Sequence, residues 1–361
     1  MLRAAPAGCR GALGRVQREA QAVVTGEHEG RATGRAARKC RLFYLSILAQ
    51  RLQDSALLLE AHHVLWATLL TGGELTAARA HQEQGLRLYE PQQHRAHAAL
   101  YSGHDAGVCC RMQMAVSLWL LGYPDQAAAS SRAALALAQQ LAHPISSTQA
   151  LYWTAKLHHF RREASLTQTR AEAAMTIATE QGFSQLFAMT MPLQGWALAA
   201  SGYVEEGIRQ IHQRLAASQA AGMTRDRLYH LALLAEVSVQ GTQSATGLEA
   251  LAEALATLAK LGTHWWEAEL YRLRGELLLQ HAVAQPEEAE ACFHQALDVA
   301  RRQRARALEL RAAMSLARLW QQQGKRTEAR ELLAPIYGWF TEGFDTADLQ
   351  EAKALLEELE G

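Results

Sequence analysis

The chain has 361 residues, enough for two or three ordinary domains or one long repeat array, and 49% of them are apolar, which suffices for a folded core. Lys+Arg and Asp+Glu balance at 36 each, so the basic excess needed to neutralise phosphates is missing and a general nucleic-acid binder is excluded. No apolar run reaches the ~18–20 residues that span a bilayer, which excludes a helical membrane protein.

Residues 1–41 differ from the rest. They carry nine Arg or Lys against three acids, are rich in Gly and Ala, and hold almost no large apolar side chains. They lack the apolar core of a secretory signal. The expectation is a disordered basic leader that cannot build a core, with a targeting peptide or basic arm as the alternative. Five cysteines (Cys9, Cys40, Cys109, Cys110, Cys292) make no disulfide framework in a chain of this length, and the expected compartment is the cytoplasm.

From about Leu42 the residues favour helix: Ala, Leu, Gln, Glu and Arg abound and Pro is rare. The first apolar stretch holds His62-His63 and Trp66. The histidine pair, like His158-His159 further on, reads as packing and hydrogen bonding within a first helix. Next comes "HRAHAALYSGHDAGVCC", residues 94–110, with three His and two Cys. His94, His97, His104, Cys109 and Cys110 are therefore metal candidates, since Zn²⁺ takes Cys and His in a tetrahedron. The His-x2-His-x6-His spacing fits no common zinc pattern, and adjacent cysteines point to different sides of a helix. The favoured reading is an inter-repeat loop leading into a helix from Val108 to Leu121, with the cysteines as small packing residues, no metal and no cofactor; a partner surface is the other alternative.

The repeat then declares itself. "GYPDQA" begins at Gly122 and "GYVEEG" at Gly202. The small residue opening each second helix runs Ala127, Thr167, Gly207, Gly247, Ala289, Ala329, in steps of 40, 40, 40, 42 and 40. Seven residues on, two helical turns later on the same face, stand Ala134, Ala174, Ala254 and Ala296, interrupted by Arg214 and Ile336. Small residues there let two helices approach closely. The equivalent position in the first unit is about Ala78, so the 49-residue step to Ala127 leaves roughly nine extra residues around 94–110. Gly182 is a helix stop and Pro286 a first-turn residue. The expectation is an all-α fold: an α-solenoid of about seven helix-turn-helix repeats over residues 42–361, each unit burying its apolar face on its neighbours.

Trp66, Trp119, Trp153 and Trp196 each fall in a first helix at similar depth. In such arrays first helices line the concave surface, so these four are candidates for a peptide-binding groove, with inter-helix core as the favoured alternative.

"PEEAEACFHQALDVAR", residues 286–301, resembles the second helix of a tetratricopeptide repeat, with Ala289, Phe293 and Ala296 at the small–large–small positions. The unit exceeds the usual ~34 residues and resembles the longer MalT-like variety. "LAQRLQDSALLLEAHHVLWATLL", "AELYRLRGELLLQ" and the closing stretch from Leu308 to Leu359 are similar to the C-terminal region of large bacterial predicted-ATPase proteins. Many of those begin with a class III adenylate or guanylate cyclase domain, followed by an AAA-type ATPase. The enzymatic parts of that family have no counterpart here: no G-x-x-x-x-G-K-[ST], no acidic pair in a strand context, no G-x-S-x-G, H-E-x-x-H or C-x-x-C.

The expected function is a non-catalytic protein–protein interaction scaffold or a sensory and regulatory repeat module in signal transduction. Its expected partner is a protein, a peptide or an upstream ATPase or cyclase domain. The alternative is a fragment of an ATP-dependent cyclase, or of an ATPase-coupled transcriptional regulator.

Overall fold

The structure is a computed structural model that describes residues 54–360, apart from 95–97, 99–102, 221–225, 242 and 282–284. The leader, the start of the array at Leu42 and His97 lie outside the described residues.

Sixteen helices and no strand occur among the described residues. In chain order they are α1 (Ser55–Thr71), α2 (Leu75–Leu88), the one-turn α3 (Pro91–His94), α4 (Ala106–Leu120), α5 (Pro124–Leu141), α6 (Pro144–Phe160), α7 (Ala164–Glu180) and α8 (Ser184–Ala200). There follow α9 (Val204–Ala220), α10 (Arg227–Gln240), α11 (Ser244–Leu261), α12 (Glu267–Gln280), α13 (Pro286–Gln303), α14 (Arg306–Gln322), α15 (Arg326–Tyr337) and α16 (Ala347–Glu360). They form seven antiparallel pairs, α1/α2, α4/α5, α6/α7, α8/α9, α10/α11, α12/α13 and α14/α15, with α16 packed on α14 and α15. The all-α, tetratricopeptide-like solenoid expected from the 40-residue period is the fold. The helix expected to start at Val108 begins two residues earlier, because Asp105 caps it.

A recurring turn separates the helices of a pair. Gly122, Arg162 and Gly202 hold left-handed φ angles of 92°, 62° and 98° at 40-residue intervals. The next amides reach back over the helix end, as in Tyr123 N to Leu118 O and Tyr203 N to Leu198 O, both 2.9 Å. This is the Schellman closure of a helix C-terminus, which satisfies carbonyls that would otherwise lack partners. Glycine takes this conformation without the Cβ penalty that Arg162 carries.

The small-residue series lies on the seam within each pair. Ala127, Thr167, Ala289, Ala296 and Ala329 are fully buried, as is Phe293. A Cβ on Gly207 would sit 2.3 Å from the Gly195 carbonyl oxygen, and one on Gly247 would strike Leu277 at 2.7 Å. Arg214 and Ile336, where the second small residue is replaced, are buried too.

The solenoid coils tightly enough for its two halves to touch. The His264 amide donates to the Thr71 carbonyl at 2.8 Å, and the Gln303 side chain donates to the His264 carbonyl at 2.7 Å. At the α4–α5 turn, Glu342 accepts from the Asp125 and Gln126 amides at 2.9 and 3.1 Å. At the α6–α7 turn, Arg162 pairs with Glu351 at 2.5 Å. One apolar core runs from Val64 to Leu308. No helix among the described residues is long and apolar enough to cross a membrane.

Candidate functional site

Two groups of chemistry-bearing side chains stand out, one inside the coil and one beside its first hairpin.

The inner group sits where the ends of the first helices converge. Phe160 stacks on Trp266 at 4.7 Å and meets Trp119 at 4.9 Å, while Trp265 and Tyr229 complete the cluster. Polar groups thread through it. His159 is buried between Tyr229 and Glu236, with Nδ1 2.8 Å from the phenol oxygen and Nε2 3.0 Å from the carboxylate. With Nε2 donating to Glu236, Nδ1 accepts from Tyr229. The Trp196 indole donates to the other Glu236 oxygen at 3.0 Å. Burial works against the Glu236 charge, but His159, Arg311 and Trp196 outweigh it and hold its carboxyl down at about 2. Burial pushes the Tyr229 phenol up, so it stays protonated.

Arg311 donates to the Phe160 carbonyl at 2.5 Å and to Asp348 at 2.8 Å, and lies 3.3 Å from Glu269. Lys156, fully buried, places its ammonium 4.4 Å from the Tyr229 ring centre, 4.6 Å from Trp153 and 4.7 Å from Tyr152, and 3.5 Å from Asp226. A cation held by ring faces and a carboxylate is stabilised where water cannot reach it. The aromatic and charged side chains where these helix ends converge thus pack on and pair with one another. Of the four groove candidates, Trp66, Trp119 and Trp196 are buried and Trp153 is half-buried.

The outer group lies between α1 and the start of α4. Asp105 caps α4 by accepting from the Val108 amide at 2.9 Å; it also accepts from Tyr89 at 2.9 Å, and its own amide donates to Ser146 at 2.9 Å. These three bonds fix His104, one residue earlier, and Cys109, one turn later. Facing them from α1 is His63, and the ligand atoms of His63, His104 and Cys109 lie within 4.8 Å of one another. His63 and Cys109 are buried and His104 is half-buried. The His63 ring stacks on Trp66 at 4.9 Å, and its Nδ1 lies 3.1 Å from the buried Glu60 carboxylate. Burial opposes charge on both Cys109 and His63. The attraction of His63 and His104 for the sulfur overcomes it, drawing the Cys109 thiol down, while Cys109 and Glu60 raise His63.

The sequence candidates therefore separate. His104 and Cys109 come together. Cys110 turns away and donates to the Gln82 carbonyl at 3.2 Å, and burial pushes its thiol up. His94 accepts from the Glu90 amide at 2.9 Å and stacks near Tyr89. His63 joins the group although the sequence reading assigned it to packing. The signal for it was Glu60 at i−3, a carboxylate placed to orient the imidazole. Its neighbour His62 instead meets His81 at 2.8 Å, and burial lowers His62 to about 4. Between α7 and α8 lies an open groove of about 390 Å³ lined by Glu172, Met175, Thr176, Glu180 and Phe187.

The architecture defines a tetratricopeptide-like helical repeat protein. No family model matches the chain. Over 262 residues, 72% of its length, it is 26% identical to an uncharacterised protein of Rhizobium meliloti, and spans only 25% of that relative. Among solved structures it is similar to aspartyl phosphate phosphatase F from Bacillus subtilis: 13% identity, 88% of this chain and 73% of that one, TM-score 0.50. It is also similar to a signal-transduction ATPase with numerous domains and a tetratricopeptide repeat sensor from Pyrococcus horikoshii: 14% identity, 95% and 51% coverage, TM-score 0.44. Yeast Tom70 gives 10% identity, 90% and 59% coverage and a TM-score of 0.46. At such identities the likeness is one of fold.

Proposed function

We propose that the chain is a non-catalytic protein-interaction scaffold that serves as the sensory or regulatory repeat region of a larger signalling protein of the ATPase or nucleotide cyclase kind. The observation that carries this reading is the use made of the interior. The ionisable groups from Lys156 to Asp348 pair with one another and hold the coil closed, leaving the outer helix faces for a partner. The α7–α8 groove fits that role, since half-buried Phe187 is flanked by Glu172 and Glu180. Its relative in Rhizobium meliloti, about four times as long as the region matched, supports a place within a larger polypeptide.

The test is affinity capture from the native host with the chain and with Phe187→Glu, alongside equilibrium dialysis against ATP. The expected result is a stoichiometric protein partner lost in the variant and no saturable ATP binding. Saturable ATP binding or turnover by the pure chain overturns the non-catalytic reading.

A further inference from the structure

We propose that His63, His104 and Cys109 bind a borderline-soft divalent metal of the Zn²⁺ class, stapling the first hairpin to the second unit. Three kinds of observation carry this. The first is convergence: donors from the middle of α1, from the loop before α4 and from the first turn of α4 bring their ligand atoms within 4.8 Å of one another. Zn–N and Zn–S bonds of ~2.0–2.3 Å set tetrahedral ligands roughly 3.3–3.7 Å apart, so small side-chain rotations suffice to close the site.

The second is donor chemistry. One thiolate with two imidazoles selects Zn²⁺, Co²⁺ or Cu⁺ over Mg²⁺ and Ca²⁺, which demand oxygen.

The third is the shell behind the ligands. Glu60, itself buried, accepts from His63 Nδ1 at 3.1 Å, so Nε2 is the nitrogen that gives up its proton when a metal binds. A carboxylate behind a histidine is the arrangement that orients metal-bound imidazoles and raises their basicity. Asp105, through its bonds to Val108, Tyr89 and Ser146, holds the backbone between the other two ligands. His104, half-buried, is the most accessible of the three ligands.

The staple adds a cross-link between α1 and α4 to the apolar packing of Leu59, Trp66, Val108 and Met112 at the same junction.

The test uses the full chain, stripped with a chelator under reducing conditions and titrated with Co²⁺ alone. The expected result is uptake of one ion per chain, with the near-ultraviolet thiolate-to-cobalt band and the visible bands of tetrahedral Co²⁺, all abolished by Zn²⁺. Cys109→Ser removes the thiolate band. His104→Gln, at the half-exposed position where folding is least disturbed, weakens binding at least ~10-fold, and Glu60→Gln weakens it ~10–100-fold. Cys110→Ser leaves the spectrum unchanged. Circular dichroism establishes that each variant is folded, and His104→Gln alone decides the matter if Cys109→Ser does not fold. A folded, stripped chain that takes up no Co²⁺ overturns the proposal, as does a thiolate band that survives in Cys109→Ser.

Discussion

The hub around His159 and the cluster around His63 are built from the same materials and differ in how completely they are closed. Each has a histidine buried between a carboxylate and a second polar group, against a tryptophan ring. At His159 both ring nitrogens are engaged, by Tyr229 and Glu236, and the other Glu236 oxygen is taken by Trp196. At His63 the carboxylate engages one nitrogen, and His104 and Cys109, whose sulfur also accepts from Gln113 at 3.3 Å, converge beside it with nitrogen and sulfur ligand atoms. A buried histidine with two fixed partners is architecture. One whose partners converge on a common point is a site.

The largest expected effect lies in the hub. Arg311→Ala removes the partner of Asp348 and Glu269 and the donor to the Phe160 carbonyl. Breaking a buried pair from one side costs ~3–5 kcal/mol. Arg272 still faces Glu269 at 2.7 Å and Arg162 still faces Asp348 at 3.6 Å, so the lower end, about 3 kcal/mol by urea denaturation, is expected. A loss below about 1 kcal/mol would show that the closure contacts are surface decoration.

The repeat seam sets the scale between the two regions. Ala296→Trp forces an indole into a fully buried position, and overpacking of this kind costs ~1–3 kcal/mol or more. An unchanged thermal melt would sink the register of α13 on its neighbours.

Acid separates a further element. Buried His230 is held down at about 4, by burial first and then by the Lys156 and Arg214 charges, against the opposing pull of Asp226. Between its ordinary value of 6.5 and about 4 the unfolded chain binds a proton that the folded chain refuses, so stability falls with pH through that window. The expected loss from His230 is roughly 2 kcal/mol between pH 7 and pH 5; His62, also lowered to about 4, acts in the same window, so His230→Gln should reduce the slope and not abolish it. The Glu236 contribution persists lower, above its ordinary 4.5, and is lost as pH falls toward about 2. A slope unchanged in His230→Gln assigns the window to other groups. The smallest effect is Tyr229→Phe, which removes one hydroxyl from His159 and should cost about 1 kcal/mol in the same denaturation assay. A cost well above this would mean the hub acts as one cooperative network.

The fold was largely legible because a 40-residue period leaves local marks. Ala127, Thr167 and Ala289 announce the seam, and Gly122 and Gly202 announce the turn, each within a few residues of its consequence. The site was half legible. His104 and Cys109 drew attention by composition, but His63 lies a whole hairpin earlier, and only the packing of α4 on α1 and α2 shows which of the two adjacent histidines faces it. The filled interior was not legible at all. It depends on the pitch of the coil, set by small offsets added over seven pairs, and no single unit encodes that sum.

That pitch has a consequence for how the molecule is made. An open stack of repeats can fold from any point outward, each unit needing only its neighbour. Here Arg311 must find the Phe160 carbonyl 151 residues back, and Glu342 the Asp125 amide 217 residues back. A chain leaving the ribosome has its earlier first helices, with Trp119, Phe160 and Tyr229, waiting for helices made well over a hundred residues after Phe160. Assembly is therefore slow for an all-helical chain, the nascent intermediate carries an uncovered aromatic face, and the finished coil resists fraying because the described first and last pairs are each tied across it.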